Sequence, residues 1–177
     1  MVRDPEVVVR LRRLQAEISV EIAALKAREQ ETLDLAARWD VDGRLGRPEL
    51  VLVAVNLHGW YTALESGLER VARLLDQSLP AGASWHVDLI EQMRLDVPGL
   101  RPALLEAGSV AALHELRKFR HFFRNAYVLE LDPAKVRARV GDLASIAPSV
   151  MAGLDRFERE LTRAIQEMVN ASSSVSR

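Results

Sequence analysis

The sequence predicts an all-α fold, a bundle of four or five main helices joined by short connections. Three observations predict it. Apolar residues recur at three- and four-residue steps through most of the chain. Two Asp-Pro pairs, at 4–5 and 132–133, each combine a helix-capping residue with the residue best suited to a first helical turn. No segment alternates convincingly between apolar and polar residues as a half-buried strand would.

The first helix spans about residues 4–39, with Val9, Leu11, Leu14, Ile18, Ile22 and Leu25 forming its apolar stripe. The segment DVDGRLGRP ends it with two glycines and a proline. A second helix starts near Pro48 and runs to about Leu79. Its opening, LVLVAVNLHGWYTALE, is apolar enough to suggest burial on several sides. PAGAS follows, and Ser84 is placed to cap a short helix through about Leu95. DVPGLRP is the next breaker, with a turn of helix expected at 102–107. Ser109 then caps a helix to about Leu131, and the second Asp-Pro pair opens the last one. Pro148 should kink or break that helix, because proline has no N–H to donate. The reading is a single domain over 1–171, with residues 172–177 a small, polar tail expected to fray.

Composition narrows the function. Of 177 residues, 49% are hydrophobic and 28% charged, which suits a packed core rather than a disordered chain. The 24 basic and 25 acidic residues nearly cancel, so any attraction for an anion must come from a local cluster. With no cysteine, disulfides and thiolate metal sites are excluded. The N-terminus lacks the apolar core of a signal peptide, and no run of about 18 apolar residues suggests a membrane span. A cytoplasmic location and no membrane partner are the expectations.

The local cluster is RKFRHFFRNAY, residues 117–127. On a helix, Arg117, Arg124 and Tyr127 lie within roughly 60° of Arg120. His121, Asn125 and His114 extend that polar face, while Leu116, Phe119, Phe122, Phe123 and Ala126 fall on the opposite, core-facing side. Like charges at three- and four-residue steps repel by a few tenths of a kcal/mol per pair, and no acid lies between Glu115 and Glu130 to offset them. Two readings fit this spacing. One is a phosphate or RNA site, for which the planar arginine fork is suited. The other is a structural face whose arginines pair with acids from another helix or chain.

FRHFFRNAY followed by LELDPAKV, together with NLHGWYTALESGLERVARLLDQSLP at 56–80 and GASWHVDLIEQM at 82–93, resembles the HepT-like branch of the HEPN superfamily. The similarity covers roughly residues 50–145. It implies an all-α HEPN-like bundle that pairs about a two-fold axis, and a metal-independent endoribonuclease toxin. The implied partners are RNA, a second copy of the chain and a nucleotidyltransferase antitoxin that adds AMP to the motif tyrosine; no cofactor or metal is implied. In the family motif, an arginine is followed after four residues by a histidine, then by a tyrosine two further on. Matched to it, the arginine is Arg120, the polar residue after it His121 and the tyrosine Tyr127. The motif histidine falls on Asn125, a departure. Asparagine exchanges no proton near neutral pH, which leaves His121, one turn earlier on the same side, to take over proton transfer. The alternatives are a non-cleaving HEPN module that binds RNA or nucleotide, or a structural dimer or adaptor. In the cleaving reading Arg120, His121 and Asn125 are the catalytic set, and Arg117 and Arg124 bind phosphate.

Other polar residues have plainer readings. His58 and His86 sit beside tryptophans with no third ligand at metal spacing, and core or capping roles are expected. His114 is expected at the surface. Glu65 and Glu69 are expected to be solvated or to pair with the arginines across the bundle. Trp39, Trp60, Trp85 and Tyr61 should fill core or interface.

Overall fold

The computed structural model describes residues 5–125 and 131–175. It is all-α, as the sequence predicts: five α-helices and two short helical turns, with no strand among the described residues. α1 spans Pro5–Asp42, α2 Arg47–Val71, α3 Trp85–Met93, α4 Val110–Asn125 and α5 Pro133–Val175. α1 packs along α2 and α5, and α4 lies in contact with α2 and α5. No described helix is long and apolar enough to cross a membrane.

α1 buries Leu11, Leu14, Ile18, Ile22 and Leu25, and further on Leu35 and Trp39. Each such side chain contributes roughly 1.5–3 kcal/mol on burial. Val9, expected in this stripe, is instead 66% exposed. It stands two positions before Leu11, about 200° round the helix. α2 also departs from expectation. Val53, Ala54, Leu57 and Trp60 are fully buried, but Val51, Leu52 and Val55 stay open, so its apolar opening is covered on one side only.

α2 runs into a π-helical turn, Ala72–Asp76, and stops at Gln77, whose φ of 50° is left-handed and cannot continue a helix. The helix therefore ends before Leu79. Ser84 precedes α3 as expected, but its hydroxyl donates to Asp88 Oδ2 at 2.7 Å and caps no backbone N–H. The turn expected at 102–107 does not form over residues 102–106. Leu104 and Leu105 instead donate their N–H groups to the Met93 carbonyl, which pulls both side chains into the core. The turn forms later, at Ala107–Ser109, where the Ser109 hydroxyl meets that of Ser149 at 2.9 Å.

Asp132 does cap α5: its Oδ1 accepts the Ala134 N–H at 2.9 Å. Pro148 does not end the helix, which continues to Val175. Ile146, Ala147, Val150 and Met151 are buried around the proline, and their packing outweighs the single backbone bond it forfeits. Gly153 brings α5 against the connection before α4. A Cβ there would lie 2.1 Å from the Leu104 carbonyl oxygen.

The connection between α3 and α4 is held by one buried cation. Arg101, 4% exposed, makes two 2.7 Å contacts to the Asp76 carboxylate and donates to the carbonyls of Gln92, Leu95 and Pro102. Arg101 holds Asp76 below the usual carboxylate range although burial opposes this. Arg101→Ala would strand the Asp76 carboxylate and three carbonyls, and about 3–5 kcal/mol of stability should be lost. Urea denaturation of wild type and variant measures it.

Candidate functional site

α2 and α4 meet at a buried carboxylate. Glu65 of α2 is 5% exposed. Its Oε2 lies 3.0 Å from Nη2 of Arg120 on α4, and its Oε1 2.5 Å from Nδ1 of His86 on α3. The buried Tyr61 hydroxyl feels the charge of the same carboxylate. Arg120 is held a second time, its Nε donating to Thr62 Oγ1 at 3.1 Å. Thr62 in turn donates to the His58 carbonyl at 2.8 Å. Trp85 stacks on the His86 ring with centroids 3.6 Å apart, fixing the imidazole against Glu65. Burial pushes the Tyr61 hydroxyl far above the usual phenol range and the Glu65 charge adds to it, so Tyr61 stays a neutral donor.

Arg120 thus meets one of the acids read as able to pair with the α4 arginines across the bundle, and both it and Arg117 are half-buried. The sorting of the phenylalanines is corrected in one place. Phe119 is buried and Phe123 partly so, but Phe122 is 54% exposed. The acid from α2 draws Arg120 inward, and Phe122, about 200° from it, is left outside. Among the described residues, Arg117 and Arg124 have no carboxylate partner, and the Arg117 Nε is buried without a hydrogen bond. Arg124 and His121 are exposed at the C-terminal end of α4. α4 is described as far as Asn125; its expected end near Leu131 and Tyr127 lie outside the described residues, as does the Asn125 side chain.

Glu65 pairs across the bundle, whereas Glu69 pairs along its own helix with Arg73 at 3.4 Å. His114 is half-buried with Nδ1 enclosed and unpartnered, not a surface group. Trp39, Trp60 and Tyr61 are buried and Trp85 partly buried. No described cluster of three His, Asp or Glu residues could hold a metal ion.

A family model described as HepT-like protein matches residues 52–161, more than half of the chain. The chain belongs to the HepT-like family. Among curated proteins and among solved structures, none matches it. The matched segment of this HepT-like protein runs from early α2 into α5 and so contains the whole Glu65 cluster. Spacing along α4 did not reveal Tyr61, Thr62 or His86 as neighbours of Arg120. The signal available was a carboxylate inside the otherwise apolar run YTALESGL.

Two measurements follow. Glu65→Gln should leave the Arg120 charge half-buried and unpaired, costing on the order of 3 kcal/mol by chemical denaturation. His58 supplies a pH dependence. Burial, then the Arg120, Arg28 and Arg124 charges, hold its imidazole below the ordinary 6.5. As pH falls below 6.5, the unfolded chain gains a proton that the folded chain refuses. Stability should thus be full above that value and fall on acidification, and His58→Gln should flatten the fall in melting temperature.

Proposed function

We propose that this HepT-like protein is a metal-independent endoribonuclease toxin, silenced by a nucleotidyltransferase antitoxin and acting in the cytoplasm as a homodimer. The observation that carries the reading is the arginine stripe of α4, in which Arg117 and Arg124 have no acid partner among the described residues. Glu65 and Thr62 fix Arg120 by Nη2 and Nε, and neither contact uses Nη1. That geometry favours an arginine oriented in advance toward a phosphate. Uncovered Val51, Leu52 and Val55 on α2 and Phe122 on α4 supply apolar surface for a second copy.

The chemistry is transesterification. A base removes the 2′-hydroxyl proton, the 2′-oxygen bonds to phosphorus, and the P–O5′ bond breaks. The leaving 5′-oxygen takes a proton, giving a 2′,3′-cyclic phosphate and a 5′-hydroxyl. Arg120, assisted by Arg124 and Arg117, meets the charge on phosphorus. His121 moves the proton, Asn125 orients the phosphate or the 2′-hydroxyl, and Tyr127 is the residue the antitoxin modifies.

Incubation of RNA with purified protein in EDTA should yield those two end groups, and His121→Ala should slow cleavage roughly 10²- to 10⁴-fold. Arrest of growth on expression should be relieved by the same change. Asn125 in the motif histidine position favours a second reading, a non-cleaving module that binds RNA or nucleotide. It is the one to adopt if RNA stays intact while binding is strong and salt-sensitive.

A further inference from the structure

A second cationic cluster joins Arg124, on the motif helix, to residues of α1 and α2 outside the family motif. Arg28 of α1 is half-buried, and its guanidinium lies over Gly59 of α2. A Cβ at Gly59 would come within 2.5 Å of the guanidinium carbon, so a larger residue there would push the Arg28 side chain off this seat. The neighbouring His58 ring packs on Phe123 of α4, centroids 5.3 Å apart, next to exposed Arg124. Among the described residues no carboxylate pairs with Arg28 or Arg124. The nearby acid of α1, Glu31, is taken by Asn56, whose Nδ2 donates to it at 2.8 Å. His58 Nδ1 is enclosed with no hydrogen-bond partner.

Three helices thus bring two guanidiniums without an acid partner among the described residues near enough to one imidazole for both charges to act on it. Like charges gathered this way repel, and no described carboxylate pairs with either. We propose that Arg28 and Arg124, with His58 between them, form a phosphodiester-binding subsite that extends the α4 stripe across α2 to α1. The subsite grips a phosphate of single-stranded RNA neighbouring the one held at Arg120, and so rests on the RNA reading above. Arg28 and Arg124 supply the charge-assisted bonds. His58 reports occupancy: burial, and then the charges of Arg120, Arg28 and Arg124, hold its pKa down, and a bound anion offsets the charge part of that restraint.

The test uses an uncleavable 2′-O-methyl oligonucleotide and fluorescence anisotropy over a salt series. Arg28→Gln should bind roughly tenfold more weakly than wild type. Its log–log salt slope should be shallower by about 0.7, the loss of one single-strand phosphate contact. Gly59→Ala, which keeps every charge but unseats Arg28, should show the same loss. Exposed Arg163→Gln, remote on α5, should bind as wild type does. In NMR titrations, the His58 imidazole pKa should rise on adding the oligonucleotide. Should Arg28→Gln and Gly59→Ala bind like wild type while Arg124→Gln binds weakly, the subsite is overturned and the RNA reading stands. If wild type fails to bind, both fall. Matched melting temperatures exclude unfolding as the cause; if Arg28→Gln melts early, Arg28→Lys, with its charge but no fork, gives the slope, and an unchanged slope together with normal Gly59→Ala binding overturns the subsite.

Discussion

The Glu65 carboxylate is the charge around which α2, α3 and α4 are arranged. An anion removed from water this far is costly unless its lone pairs are used. Here His86 of α3 and Arg120 of α4 use them. Apolar packing alone tolerates small rotations of a helix about its axis, because one methyl group replaces another at little loss. A carboxylate held by fixed partners from two other helices does not. It sets the rotational phase of α4, and with it which residues of that helix face inward and which face out.

That phase explains where the sequence was and was not a guide. The five helices, the α1 stripe from Leu11 to Leu25 and the Asp132 cap all follow from local chemistry, and all were legible. The resemblance to HepT-like proteins was legible too, because several segments agree in order and spacing. Val9, Phe122 and His114 were misplaced because a helical wheel assigns faces by residue type, whereas the structure assigns them by partner. Pro148 was read as a breaker on backbone grounds, yet the buried residues on either side of it hold the helix together. The Arg120–Glu65–His86 relay spans residues too far apart in the chain for periodicity to connect.

The arginines of α4 divide by their surroundings. Arg120 is neutralised locally and geometrically fixed, which suits it to orienting a phosphate more than to attracting one. Arg124 is exposed, and Arg117 is half-buried, as is Arg28 of α1; none has an acid partner among the described residues, which leaves a local excess of positive charge on a chain of net charge −1. The ion-paired reading of the stripe thus holds for Arg120, and Arg117 and Arg124 are the members the proposed anion site would use.

Arg101 has a consequence for how the molecule loses order. Its one guanidinium ties the end of the π-helical turn to the last turn of α3 and to two points on the connection after it. Those bonds cannot be released one at a time without exposing the same charge. The stretch from Asp76 to Pro102 should accordingly behave as a latch, shut or sprung as a whole, and exchange its amide hydrogens in concert rather than fraying inward from its loops.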